Sequence, residues 1–217
     1  FEFVKTPTTG SLLSNLQVEL NPDQVGKNLH PLFFGDLDVT VKPDAMDYVC
    51  DTVPMMKDTN NLRVVLQQLN GEPLKAADFD FKVVDDNTLM GWNNAVIATS
   101  PTDYTPWSKG EVSTGLTERD DELVMAYAEM SFPRLVTENK PRLVITRHDG
   151  NETVVDIPLI NYLLALKSDV LASMPSQEFL DRESRWSMIF ILDSRYKWVA
   201  VHIKVRDWTV RLNNAEF

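Results

Sequence analysis

Few residues in this 217-residue chain have the types and spacing that chemistry requires. The densest acidic group is Asp78, Asp80, Asp85 and Asp86, in "DFDFKVVDD". Clustered carboxylates could hold calcium, which wants about six to eight oxygens and, in an EF-hand loop, a glycine at the sixth position. Counting from Asp85, that position is Met90, so the motif fails. In a strand, Asp78 and Asp80 share one face while Phe79, Phe81 and Val83 share the other. The aspartates therefore read as a solvated face, with Asp85 and Asp86 in an exposed turn.

A second acidic group is Glu178, Asp181 and Glu183 in "QEFLDRESRW". Two carboxylates about 5–10 Å apart would serve glycoside hydrolysis. Here Arg182 and Arg185 are interleaved, which favours surface ion pairing. Nucleophilic and phosphate-binding signatures are missing: the chain has no G-x-S-x-G, H-E-x-x-H, G-x-x-x-x-G-K-[ST] or G-x-G-x-x-G. The three histidines, His30, His148 and His202, are isolated in sequence. The single cysteine, Cys50, can form neither an internal disulfide nor a cysteine-rich zinc site. No metal and no cofactor is expected.

Aromatic residues offer a different chemistry. Trp186, Trp198 and Trp208 fall on strand-like runs and read as core or cross-strand partners. Trp92 and Trp107 could instead stack on a sugar, which would make the chain a surface carbohydrate-binding β-sandwich module.

These residues need a framework, and its signals are mostly of period two. Short strands are predicted over Val39–Val41, Leu62–Leu66, Phe79–Val83, Leu143–Ile145, Val154–Ile157, Ser187–Leu192, Trp198–Val205 and Trp208–Leu212. "ITRHDGNETVV" places Asp149-Gly150 between two such runs and predicts a tight primed hairpin. Asn70-Gly71 is a further turn on a longer connection. Helical spacing occurs over 157–174, with Pro158 in the first turn, and a short helical turn is predicted over 175–185, with Ser176 as its cap. The stretch 98–117 reads as a long loop. This is a mainly β pattern, in sandwich form. A formal net charge of −11 argues against nucleic-acid partners. The longest apolar run, Ile157–Leu166, is shorter than the roughly 20 residues that span a bilayer.

Seven stretches, in order, resemble the FimB/Mfa2 family of fimbrial anchor subunits of Bacteroidales. They are "LFFGDLDVTV" (32–41), "KDTNNLRVVLQQLNG" (57–71), "DFDFKVVDDNTLMGWNN" (78–94), "YTPW" (104–107), "IPLINYLLALKS" (157–168), "QEFLDRESRWSMIFILD" (177–193) and "WTVRLNN" (208–214). The resemblance implies transthyretin-like Greek-key β-sandwich domains of the fimbrillin superfamily, with one or two short helices. It implies a non-enzymatic structural and adhesion protein, joining other pilin subunits by β-strand addition and held at the outer membrane by a lipid anchor. The lipidated cysteine is expected upstream of Phe1, since Cys50 lies mid-chain. Residues 1–55 are expected to be the C-terminal part of an N-terminal β-sandwich domain, and 56–217 the C-terminal domain. The strand and core framework is expected to include Leu62, Val64, Leu66, Phe79, Phe81, Trp198, Trp208, Val210 and Leu212.

Overall fold

A computed structural model describes residues 1–6, 8–40, 50–114, 123–167, 171–205 and 208–213. Strand is the dominant element. In chain order the strands are β1 (Glu2–Lys5), β2 (Gln17–Glu19), β3 (Phe33–Phe34), β4 (Met56–Lys57), β5 (Thr59–Gln68), β6 (Phe79–Asp85), β7 (Leu89–Gly91), β8 (Val96–Ile97) and β9 (Thr102–Tyr104). They continue with β10 (Ser108–Thr114), β11 (Leu123–Pro133), β12 (Arg142–Arg147), β13 (Glu152–Pro158), β14 (Arg185–Leu192), β15 (Trp198–Val205) and β16 (Trp208–Asn213). Among the described residues, the α-helices α1 (Leu159–Leu164) and α2 (Ser176–Arg182) lie between β13 and β14.

Two sheets make the sandwich. One has six strands in the order β10-β11-β5-β14-β15-β16, the other four in the order β13-β12-β6-β9. Side chains in a strand alternate between faces, so Leu62, Val64 and Leu66 of β5 point the same way. All three are buried. They join Met130, Met188 and Phe190 from neighbouring strands, and Phe79, Phe81, Val83, Leu143 and Ile145 from the facing sheet, in one continuous core. Full burial of each large apolar side chain contributes about 1.5–3 kcal/mol. Trp198 is buried too, edge-on to Tyr162 and Phe190 with centroids 6.2 and 5.8 Å away. Val210 and Leu212 pack half-buried at the margin. Trp208 opens β16, and its side chain lies outside the described residues.

Among the described residues the ladders are antiparallel except one: β14 runs parallel to β5, with Trp186 opposite Leu62 and Phe190 opposite Leu66. A smaller sheet, β1-β2-β7-β8, hydrogen-bonds the N-terminal segment to the hairpin at 89–97. A two-stranded ribbon, β3-β4, lies beside it in sequence.

Several expectations need correction. Asp85 is not in an exposed turn. The alternation that sends Phe79, Phe81 and Val83 inward continues one step further, so Asp85 is also buried. The stretch 98–117 is not one loop, since it holds β9 and β10; both carry polar residues, so they show no apolar alternation. Residues 39 and 40 belong to no strand, and Val41 lies outside the described residues. Of the helix expected over 157–174, Leu159–Leu164 is α1, Ile157 and Pro158 complete β13 instead, and residues 168–170 lie outside the described residues. Ser176 does not cap α2; it is the first helical residue, and Pro175 occupies the cap position with no side-chain hydrogen bond. At the 149–150 hairpin, Arg147 pairs with Glu152, leaving a four-residue connection. The left-handed residues there are Gly150 (φ 73°) and Asn151 (φ 48°), not Asp149.

Candidate functional site

The four-stranded β1-β2-β7-β8 sheet and the β3-β4 ribbon flank a groove of about 380 Å³. Its walls come from isolated apolar residues: Phe3 on β1, Leu13 in a short helical turn, Phe33 on β3, Met55 just before β4, and Trp92 in the β7–β8 hairpin. These side chains stay well exposed, from 44% for Trp92 to 64% for Phe3. Large apolar side chains gathered in the open mark an interaction surface when they are contiguous. Gly35 permits the close approach of the two ribbon segments, since a Cβ there would lie 2.5 Å from Met55 Sδ and 2.8 Å from the Pro54 carbonyl oxygen.

Beneath the groove lies a polar network. Asp58 is buried, and its Oδ1 accepts a hydrogen bond from Asn94 Nδ2 at 2.9 Å. Burial pushes its carboxyl up to about 6, against the opposing pull of the Asn94 bond and the Arg134 charge. Asn94 reaches inward from a left-handed backbone position (φ 61°), and its carbonyl accepts from Arg134. Arg134 also grips Asp181 with both Nε and Nη2, at 2.8 Å each. Burial works against the Arg134 charge, but the Asp181 bonds and the charges of Asp181, Asp58 and Glu138 together outweigh it and raise its pKa above the usual value. Gln177 completes the cluster, donating to Asp181 Oδ1 and the Leu135 carbonyl while accepting from the Thr137 N–H.

This arrangement decides the carboxylates considered for hydrolysis. Asp181 is committed to Arg134 and Gln177, whereas Glu178 pairs with Arg182 on the surface one helical turn away. Both line a concavity of about 480 Å³ beside Lys57 and Arg182, but each carboxylate there is already paired with its own arginine. Asp80 pairs with His148 on the exposed face, 2.8 Å apart. Asp85 and Asp86 share the Asn139 amide, at 3.2 and 2.7 Å. Burial, with some help from the Asp86 charge, pushes the Asp85 carboxyl up to about 6, and its Oδ2 has no hydrogen-bond partner among the described residues. No cluster of metal-ligating side chains occurs among the described residues. No helix among them is long and apolar enough to cross a membrane.

The tryptophans divide. Trp186 is buried, with Nε1 donating to Asn60 Oδ1 at 3.0 Å. With Trp198 it belongs to the core, whereas Trp92 and Trp107 reach solvent. The groove residues Phe3, Leu13, Phe33 and Met55 escaped sequence reasoning. Their signal was an excess of apolar residues in a turn-rich segment without period two or 3.6.

The chain matches the model of the family described as fimbrillin-A associated anchor proteins Mfa1 and Mfa2 over residues 2–214. No curated protein matches it. Among solved structures, a candidate adhesin from Bacteroides thetaiotaomicron is 46% identical with a TM-score of 0.87, the match covering 97% of this chain and 71% of that one. A candidate polysaccharide-binding protein from the same organism is 24% identical with a TM-score of 0.77, over 100% of this chain and 73% of the other. The fimbrial anchor protein Mfa2 from Porphyromonas gingivalis shares the fold at 10% identity and a TM-score of 0.60, over 96% and 71%.

Proposed function

Since the chain belongs to the family of fimbrillin-A associated anchor proteins Mfa1 and Mfa2, a family of structural fimbrial and adhesion proteins and not of enzymes, we propose that it is an anchor or minor subunit that takes up an extended segment of another pilin by β-strand addition. The observation that carries this reading is the apolar groove beside β1. This strand lies at the edge of its sheet, and its four side chains are exposed. An unpaired edge offers N–H and C=O groups to an incoming strand. Main-chain bonds would supply affinity, and the pockets between Phe3, Phe33, Met55 and Trp92 would select alternate side chains.

On this reading residues 1–55 are the tail of an N-terminal domain and 56–217 the C-terminal domain. The pairing of β2 with β7 couples the two, so load on the groove passes into the sandwich. A lipid group upstream of Phe1 would tie the assembly to the outer membrane.

The test is Phe33→Asp and Trp92→Ala in the complete protein in its native host. Fimbriae should detach under shear while the melting temperature of the purified variants holds. Fimbriae that stay anchored on cells carrying both substitutions would refute strand uptake at this groove.

A further inference from the structure

The outer face of the six-stranded sheet carries a second concavity, of about 360 Å³, lined by Asn28, Asn61, Arg63, Trp107, Glu129 and Arg185. Strand register assembles it. Glu129 on β11 lies opposite Arg63 on β5, and Arg185 on β14 lies opposite Asn61. Because side chains alternate, Asn61 and Arg63 face away from the core that Leu62 and Val64 fill. Trp107 immediately precedes β10, and its backbone N–H donates to the Glu129 carbonyl at 3.0 Å. Trp107 is 36% exposed.

The charges in this concavity run against the rest of the molecule. The chain carries −11, yet two guanidiniums here face one carboxylate. Arg63 lies 5.2 Å over the Tyr127 ring, which holds its position, and only 3.7 Å separates it from Glu129, too long for a hydrogen bond. Arg185 has no ion-pair partner among the described residues. Polar groups of both signs are therefore set beside an exposed indole, with bonding capacity to spare.

We propose that this concavity is a binding site for an acidic saccharide, a hexuronate residue of a polysaccharide. Its volume lies in the range of small-molecule sites, about 300–1,000 Å³. The apolar C–H face of a sugar ring would lie on the Trp107 indole. Neighbouring hydroxyls would donate to Glu129 and accept from Arg63, Asn28 and Asn61, each a group of the matching sense. The hexuronate carboxylate would take the planar fork of Arg185, which suits bidentate recognition.

The site is independent of the strand-addition groove, and its test is separate. Tetragalacturonate and a glucuronate-containing hyaluronan tetrasaccharide are titrated into the whole chain by calorimetry, with indole N–H signals followed by NMR. Neutral cellotetraose and tetraglutamate serve as comparisons. Saturable binding of a hexuronate oligomer is expected, at least about tenfold tighter than either comparison, the scale of one charge-assisted pair. Trp107→Ala and Arg185→Gln should each weaken it by about tenfold or more at unchanged melting temperature, because both side chains are solvent-facing. Trp92→Ala, in the other groove, should leave it unchanged. Failure of both hexuronate probes to saturate overturns the proposal, as does equal affinity for tetraglutamate or cellotetraose. Binding that survives both Trp107→Ala and Arg185→Gln also overturns it.

Discussion

Replacing Asp85 by asparagine tests the electrostatics of the core directly. In the folded chain the Asp85 carboxyl is pushed from 3.8 up to about 6, chiefly by burial. Below pH 3.8 the group is protonated whether the chain is folded or not, and its ionisation costs the fold nothing. Between 3.8 and about 6 the unfolded chain releases the proton first, so stability falls as pH rises. Above about 6 the loss is complete. At roughly 1.4 kcal/mol per pH unit, the gap sets an upper figure of about 3 kcal/mol. Asparagine keeps an oxygen to accept from the Asp86 N–H and removes the titration. The assay is urea unfolding followed by tryptophan fluorescence, for both proteins, from pH 4 to pH 8. The stability of Asp85→Asn relative to the wild type should climb by about 1–3 kcal/mol across that range. Asp58, raised to the same region, titrates in both proteins and cancels from the difference. A flat difference would refute the argument, and a difference that falls with pH would mean that the ionised carboxylate stabilises the fold.

Two further perturbations probe the framework and the network. Val64→Asp or Leu66→Lys places an unpaired charge in a fully buried position of β5 and should abolish cooperative unfolding, as read by near-ultraviolet circular dichroism and a thermal melt. Arg134→Ala strands the Asp181 carboxylate and should cost about 3–5 kcal/mol in chemical denaturation, whereas Glu178→Ala on the same helix should cost less than about 1 kcal/mol.

Much of the sandwich was legible because period two is a local property. A strand with one buried face must alternate, so Leu62, Val64, Leu66, Phe79 and Phe81 announce both the strand and the face they share. The same rule, carried one residue further, would have placed Asp85 inside. Against that rule, a carboxylate next to a second carboxylate reads as a turn. The edge strand β9 is three residues long and buries only Tyr104, and the edge strand β10 is polar apart from Val112, so neither has the repeated apolar alternation that marks a strand.

By itself, then, the order of residues determined the mainly β character and the inward faces of the central strands. Only the tertiary structure decided that β14 lies parallel to β5, since no local signal sets the pairing of strands so far apart in the chain. That pairing brings Arg185 beside Asn61, and it joins β10-β11-β5 to β14-β15-β16 in one sheet. The Asp58–Asn94–Arg134–Asp181 network has the same origin. Its members are scattered along the chain, and each is an ordinary polar residue until folding removes water from around it. Burial then turns spacing in sequence, which carries no information about them, into distances short enough to matter.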